Sequence, residues 1–151
     1  MCCTYKLNSG FVLFRKILNQ LEAEVTVIAR KNQQRAKHHP KTKLLRAVLD
    51  NIVEDVPSNP DHPKFRQGNT LGKQNRDWRR VKHHLPPRYR LFFKFSSDEK
   101  RIVYAWLNDQ STLRKAGAKT DVYEVFKRML RRGDVPNTWK ELLNESESAG
   151  C

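Results

Sequence analysis

The residues best suited to chemistry lie in the segment 88–95, RYRLFFKF, where cationic, aromatic and aliphatic side chains alternate. Successive side chains of a strand point to opposite faces, so the segment predicts a strand with two unlike faces. One face is mainly cationic and carries Arg88, Arg90, Phe92 and Lys94. The other is apolar, is predicted to face the core, and carries Tyr89, Leu91, Phe93 and Phe95. Guanidinium and ammonium groups on one sheet face can bind a phosphate backbone.

This strand is predicted to be the middle one of three short antiparallel strands within residues 78–107, joined by tight turns at 85–87 and 96–99. Alternate residues of a strand, which we say share a parity, point to the same face. In the first strand these are Arg80 and Lys82, and in the third they are Tyr104, Trp106 and Asn108. Arg79 has the opposite parity from Arg80 and is predicted to face elsewhere. Phe92 and Trp106 could contact the substrate from this face, but the stronger prediction is that they pack beneath a C-terminal helix.

The cationic face contains no Asp, Glu or Cys, and the nearest acid is Asp109, beyond the end of the third strand. A two-metal phosphodiesterase needs a cluster of carboxylates to hold its ions, so no metal and no other cofactor is predicted. A metal-free cleavage of RNA needs a base for the 2'-hydroxyl, cations for the phosphorane, and an acid for the leaving 5'-oxygen. Arginine suits the second task because its planar guanidinium pairs two phosphate oxygens and stays charged.

Histidines are the usual acids and bases near neutral pH, and the chain contains two adjacent pairs of them. His84 has the parity of Arg80 and Lys82 and is the better candidate of its pair, although its place beside the first turn also fits solvent exposure. His38 and His39 lie in a basic loop without ligand residues at metal-binding spacing, so they are predicted to be solvated.

The composition favours a polyanionic partner. The 151 residues include 30 Lys and Arg against 16 Asp and Glu, which gives a net charge of +14. Nucleic acid is the expected partner, and the alternative is that the charge only keeps the protein soluble.

We expect one domain over residues 1–145 and a disordered tail over 146–151. Cys2, Cys3 and Cys151 lie at the chain ends, and no leader or apolar run of membrane-spanning length is found, so a cytoplasmic protein is expected.

Apolar residues at steps of three and four predict two N-terminal helices, over 14–31 and over 44–56, where Pro57 ends the second. The basic stretch between them is broken by Pro40 and is predicted to be a loop, and a short strand at 5–7 or 11–13 is expected before them. Phe65 and Leu71 are expected to order the long connection 57–77. Two C-terminal helices are predicted, one over 121–132 with Thr120 as its N-cap and one from Thr138 with a capping box.

Read in order, the motifs between residues 42 and 143 resemble those of the YhaV toxins of bacterial type II toxin–antitoxin systems. These motifs are TKLL, FRQGNTLG, DWRRVK, RYRLFFKF, YAWLNDQSTLR, KTDVYEVFKRMLRRG and PNTWKELL. The YhaV toxins are ribonucleases with the architecture of the RelE toxins. The resemblance therefore implies an α+β fold in which two N-terminal helices pack on a twisted antiparallel sheet of three to four strands. One or two C-terminal helices follow, and the opposite, concave side of the sheet is expected to grip RNA.

The same resemblance implies an activity and partners. The expected activity is cleavage of messenger RNA, in many relatives on the ribosome, by attack of a 2'-hydroxyl on the adjacent phosphate without a metal. The expected inhibitor is a PrlF-type antitoxin, a small protein with a swapped-hairpin, AbrB-like DNA-binding domain. Operator DNA would then be bound only through the complex of toxin and antitoxin.

Matching motif to motif, the resemblance assigns the catalytic group to Arg80, Lys82, Arg90 and Tyr123. Tyr123 is expected to stack on a base or to orient the attacking hydroxyl. The substrate-binding group comprises Arg88, Lys94, Arg114, Lys119 and His84. Two alternatives stay open, a basic RNA- or ribosome-binding module without catalysis and a degenerate toxin that only represses its promoter with the antitoxin. Composition does not separate these alternatives, but the ordered motifs favour the nuclease.

Overall fold

The computed structural model describes residues 6–148, so all three cysteines and Tyr5 lie outside the described residues. The chain forms four strands, β1 (Lys6–Gly10), β2 (Arg79–Val81), β3 (Leu91–Ser96) and β4 (Arg101–Leu107). The helices are α1 (Val12–Lys31), α2 (Gln33–Ala36), α3 (Pro40–Asp50), α4 (Val56–Ser58), α5 (Val122–Arg132) and α6 (Trp139–Ser148). The predicted α+β class is confirmed.

The strands form one sheet in the order β1-β4-β3-β2. The strands β2, β3 and β4 pair antiparallel, as predicted, whereas β1 pairs parallel with β4, so the prediction of a purely antiparallel sheet is wrong at this edge. The connection between β2 and β3 is a loop, residues 82–90, and not a tight turn. His84 and Arg88 both adopt positive φ in it, 64° and 74°, which ends the strand alternation before Leu91.

A bulge in β4 changes which residues share a face. Phe92 pairs with Trp106, whereas its neighbour Phe93 pairs with Tyr104, so Ala105 is an extra residue between them. An extra residue reverses the inward and outward alternation beyond it. The ring of Tyr104 therefore lies 5.8 Å from that of Phe93, and Trp106 points to the other side with Phe92. The predicted common face of Tyr104 and Trp106 is wrong.

Both faces of the sheet are buried, each by a different set of helices. On one face, Leu91 and Phe93 join a cluster with residues of α1 and α3. On the other, Phe92 stacks on Phe126 of α5 with ring centroids 4.2 Å apart, and Trp106 lies 5.8 Å from the same ring. The prediction that Phe92 and Trp106 pack beneath a C-terminal helix is confirmed. The expected open cationic face is wrong, because α5 covers its middle.

The N-terminal helices depart from the prediction at both prolines. Pro40 does not break a loop but starts α3, at a position where its missing N–H is not needed. The helical path also passes Pro57: a π-helical turn over Asn51–Asp55 follows α3, and the Val56 N–H donates to the carbonyl of Asn51. This change of hydrogen-bond pattern lets the chain continue through α4 to Ser58.

The long connection after α4 is ordered by a few buried residues. Phe65 and Leu71 are 2% and 0% exposed, which confirms their predicted role. Gln67 and Asn75 are also buried, and the Gln67 side chain bonds to the Asn75 carbonyl and to the Leu71 N–H. These bonds hold the segment that enters β2 at Trp78, which is fully buried.

The C-terminal helices begin and end slightly differently from the prediction. The N-cap of α5 is Asp121, whose side chain accepts a hydrogen bond from the N–H of Tyr123, and not Thr120. Thr138 accepts from the N–H of Glu141 at the start of α6. This helix runs to Ser148, so residues 146–148 of the expected disordered tail are helical, and 149–151 lie outside the described residues.

Candidate active site

The side chains that could act on RNA meet at the hydroxyl group of Tyr123. This residue lies in the first turn of α5 and is only 4% exposed. Its oxygen accepts hydrogen bonds from Nε of Arg80, at 3.0 Å, and from Nε of Arg90, at 3.1 Å. Arg80 comes from β2 and Arg90 from the residue before β3, so two strands and one helix place their polar groups at a single point.

A third arginine lies beside this point. The guanidinium carbon of Arg114 is 5.0 Å from the ring centroid of Tyr123, and that of Arg90 is 5.9 Å from it. Cations at this distance from an aromatic ring are attracted by its quadrupole. We call Arg80, Arg90, Arg114 and Tyr123 the arginine–tyrosine cluster.

The hydrogen bonds of the cluster leave part of each guanidinium available. Nη1 of Arg80 donates to the Lys64 carbonyl at 2.8 Å, and Nη1 of Arg90 donates to the Tyr89 carbonyl at 2.8 Å. Within residues 6–148, neither Arg80 nor Arg90 has a carboxylate within ion-pairing distance, and neither Nη2 has a protein acceptor. Among the described residues, their charges are therefore balanced only by neutral oxygens.

Asp121 fixes the third arginine. Its carboxylate accepts from Nη1 of Arg114 at 2.8 Å and from the N–H groups of Lys115 and Tyr123. Burial alone would raise the pKa of Asp121, but these hydrogen bonds and the charge of Arg114 outweigh it and lower the pKa below its usual value. The carboxylate stays ionised and is committed to holding Arg114 and the start of α5.

A buried asparagine joins the two loops that carry the arginines. Asn108 is 2% exposed, and its Oδ1 accepts from the N–H of Arg90 at 2.8 Å. Its Nδ2 donates to the carbonyls of Arg88 and Thr112, at 3.2 and 2.8 Å. The backbones of Arg88 and Arg114 are also bonded to each other at 2.9 Å. Asn108 thus holds the backbone on both sides of the cluster.

The other predicted site residues are distributed around the cluster or away from it. Arg88 is adjacent, because its Nε donates to the Arg114 carbonyl at 2.9 Å. Lys82 is exposed just beyond β2, and its side chain makes no hydrogen bond or ion pair with the described residues. Lys119 is exposed ahead of α5, where its carbonyl accepts from Arg128.

Two predicted site residues lie elsewhere. His84 is held on the α3 side, where its carbonyl accepts from Nδ2 of Asn51 and its side chain lines a cleft with residues of α3 and α4. Lys94 is 4% exposed and is ion-paired to Asp77 at 2.7 Å, on the far side of Phe92 from Arg90. Arg79 faces away from the cluster, as its parity predicts, and pairs with Asp61 at 3.3 Å.

Sequence reasoning missed Asn108 and Asp121 as parts of the site. Asp121 carries a usable signal, since an aspartate directly before an amphipathic helix is a typical N-cap. Asn108 carries none, because a single asparagine after a strand does not show which carbonyls its amide will meet.

Among residues 6–148, no three His, Cys, Asp or Glu side chains are grouped as metal ligands. The helices within the same range include none that is long and apolar enough to cross a membrane.

Comparison with known proteins identifies the family of the chain. The model of the YhaV toxin family, described as a toxin with endonuclease activity of a toxin–antitoxin system, matches residues 11–147. The chain belongs to the YhaV toxin family. It is 44% identical over 135 residues to "Ribonuclease toxin YhaV" of Escherichia coli K12, which covers 89% of this chain and 87% of the relative. It is 43% identical over 137 residues to "Toxin YhaV" of E. coli O6:H1, over 90% and 88% of the two chains.

The YhaV assignment makes this chain the toxin of a toxin–antitoxin system, with endonuclease activity. It confirms the resemblance found in the motifs and the prediction that the chain is an enzyme. No solved structure matches the chain, so the likeness to the RelE architecture stays a prediction.

Proposed function

We propose that this toxin is a metal-independent ribonuclease that cleaves messenger RNA at the arginine–tyrosine cluster. The observation that carries the proposal is the Tyr123 hydroxyl held by two arginines that no carboxylate within residues 6–148 neutralises. Such a group matches a phosphate that gains negative charge during reaction. The name of the E. coli K12 relative, a ribonuclease toxin, supports RNA as the substrate.

In the proposed reaction, the 2'-oxygen attacks the adjacent phosphorus and the bond from phosphorus to the 5'-oxygen breaks, which leaves a cyclic phosphate. Nη2 of Arg80 and of Arg90 bind the non-bridging oxygens, whose charge grows as the phosphorane forms. The exposed Lys82, next to β2, adds positive charge on the same side. The proton of the 2'-hydroxyl passes to water.

The hydrogen-bond count of Tyr123 defines its role. A hydroxyl group has one donor and two acceptor sites, and both acceptor sites are filled by Nε of Arg80 and Arg90. The hydrogen of Tyr123 is therefore free to donate to the substrate. We assign it to the leaving 5'-oxygen, which must gain a proton as its bond to phosphorus breaks.

The partners follow from the family. A toxin of a toxin–antitoxin system has an antitoxin, and we infer that this one is of the PrlF type and that it carries the contact with operator DNA. Cleavage is proposed to take place in the cytoplasm on messenger RNA bound to the ribosome. The positive charge of the chain, +14, suits both free RNA and the ribosomal surface.

The chemistry is tested by incubating the purified protein with RNA, with and without translating ribosomes, in the presence of EDTA. New 3' ends should carry cyclic phosphates, and Arg80→Ala should lower the cleavage rate by about two to three orders of magnitude. Arg79→Ala is the matched control, since it removes the neighbouring guanidinium from the opposite side of the strand and should cleave nearly as wild type.

Three results would contradict the proposal. Cleavage that stops in EDTA would show that a metal is required. Ends with 3'-hydroxyl groups would exclude attack by the 2'-oxygen. Tight RNA binding without any cleavage, with or without ribosomes, would favour a non-catalytic binding module.

A further inference from the structure

We propose that the toxin has a second RNA-contact site, a cleft beside α5 in which Lys127 and Arg131 bind backbone phosphates that flank the scissile bond. This inference rests on the proposed ribonuclease function and extends its substrate site away from the arginine–tyrosine cluster. We call this site the α5 cleft, and it is lined by Gln74, Asn75, Lys127, Leu130, Arg131 and Asn137.

The first support is the row formed by Tyr123, Lys127 and Arg131. Residues four apart lie on one side of a helix, and a rise of 1.5 Å per residue puts Arg131 about 12 Å beyond Tyr123 along the axis. Tyr123 is buried, Lys127 is half-buried and Arg131 is exposed, so the row leads from the active site to the surface. A strand of RNA leaving the cluster along α5 would meet these two cations in turn.

The second support is the shape of the surface along this row. The α5 cleft has a volume of about 210 Å³ and lies between α5 and the turn Lys73–Asn75. That turn leads directly into β2, the edge strand that carries Arg80. Arg80 in turn contacts Tyr123 of α5, so the cleft and the catalytic arginine both lie where α5 meets the segment that forms β2.

The third support is the charge within the cleft. The side chain of Arg131 makes no hydrogen bond or ion pair with the residues in 6–148. Lys127 pairs with Glu124 at 3.0 Å, but both side chains are more than a third exposed, and such pairs contribute little free energy. A phosphate can replace Glu124 at low cost. Proteins that bind single-stranded nucleic acid use cationic grooves of this kind to follow the backbone.

A simpler account of these cations is that they only complement the negative end of α5 and keep the protein soluble. The two accounts predict different results for variants that remove equal charge. Lys127→Gln/Arg131→Gln removes the cations of the cleft. Arg128→Gln/Arg132→Gln removes two cations from the adjacent side of the same helix. Neither of these arginines lines the cleft.

The test measures the affinity of both double variants for a 2'-O-methyl RNA, which cannot react by attack of its 2'-oxygen, over a range of salt concentrations. The cleft variant should reduce the slope of log K against log[salt] by about 1.4, which is the loss of two single-strand phosphate contacts. The control variant should leave the slope near that of wild type. In cleavage assays the deficit of the cleft variant should appear in KM and should shrink as the RNA is shortened.

Each other outcome has a definite meaning. Equal losses in the two double variants would overturn the α5 cleft in favour of a long-range charge effect, and so would a wild-type slope in both. Either result leaves the ribonuclease proposal intact if Arg80→Ala still lowers the cleavage rate by about two to three orders of magnitude. If the wild-type protein bound no RNA, the cleft and the proposed function would fail together.

Discussion

Arg90, the residue before β3, and Lys94, within β3, are two cations on the same side of the sheet, yet their surroundings differ. Each is less than a tenth exposed, and Phe92 with its cover from α5 separates them. Lys94 is paired with the carboxylate of Asp77, donates to the Asn137 carbonyl, and lies 4.8 Å from the ring of Trp78. Within residues 6–148, the guanidinium of Arg90 donates only to a phenol oxygen and a backbone carbonyl.

The difference separates a structural role for one cation from the role that we propose for the other. A buried cation that meets a carboxylate has its charge neutralised within the protein, so it joins chain segments. A buried cation that meets only neutral oxygens keeps its charge available, and an anionic substrate can complete the arrangement. Lys94 therefore holds the segment before β2 to β3, whereas Arg90 has the surroundings that the proposed action on RNA requires.

The largest expected effect comes from replacing these two cations in turn. Arg90→Ala should lower kcat by about two to three orders of magnitude, because a donor to the phosphorane is lost. Lys94→Ala should keep its activity per folded molecule but lose about 1.5–3 kcal/mol of unfolding free energy, the value of hydrogen bonds to charged groups. The loss should stay below that of a fully buried pair, since the side chain of Asp77 is 65% exposed and can be hydrated.

Urea unfolding and single-turnover cleavage measure the two quantities separately. If Lys94→Ala lost activity without losing stability, the contrast between Arg90 and Lys94 would be reversed. The same conclusion would follow if Arg90→Ala were unstable but still cleaved RNA at the wild-type rate.

Tyr123→Phe should have the next largest effect, since it removes one hydroxyl and keeps the ring against Phe92. Loss of a general acid typically lowers kcat by at least about 100-fold. If Tyr123 protonates the leaving 5'-oxygen, an RNA with sulfur at that position should be cleaved equally well by both proteins, because a thiolate leaves without a proton. An unrescued loss would instead assign the hydroxyl to a non-bridging oxygen, and no loss would remove Tyr123 from the mechanism.

The sequence predicts those parts of the fold that depend on local periodicity. The stripes of α1 and α5, the three antiparallel strands and the burial of Phe65 and Leu71 all follow from the spacing of apolar residues. Tertiary hydrogen bonding decides what periodicity does not show. Ala105 has no local signal for a bulge, and nothing near Pro57 indicates the π-helical turn that carries the helix past it.

For the site, parity correctly separates Arg80 from Arg79, because both lie within a regular strand. It fails for His84, which lies in a loop whose positive φ breaks the alternation. It also could not distinguish Arg90 from Lys94, since their difference lies in Asp77 and Asn137, which are distant along the chain. The contact between Tyr123 and two strands depends on how α5 packs, and only the family resemblance indicated it.

Asn108 should have a smaller effect on activity than any group that touches the substrate, because it acts through the backbone of Arg88 and Arg90. Asn108→Ala should lower kcat about tenfold while KM rises less, and it should lose about 1–3 kcal/mol of unfolding free energy from its unpaired partners. Asn108→Asp keeps the acceptor for the Arg90 N–H but places oxygen against two carbonyls, so it should not restore activity. A variant that lost stability with unchanged kcat would show that Asn108 is purely structural.

Asp121 gives the smallest expected effect and the only one that depends on pH. Its ion pair with Arg114 resembles that of Lys94, but the Arg114 side chain is 32% exposed and so keeps access to substrate. The pKa of Asp121 is lowered in the folded state, so its contribution to stability is present above about pH 4, the pKa of Asp in unfolded chains, and is lost as the pH falls through the lower, folded value. In Asp121→Asn, unfolding free energy should therefore depend less on pH in this acidic range than it does in wild type. Identical pH dependence of the two proteins would mean that the pair contributes no net stability, and that Arg114 is held by its backbone bonds to Arg88 alone.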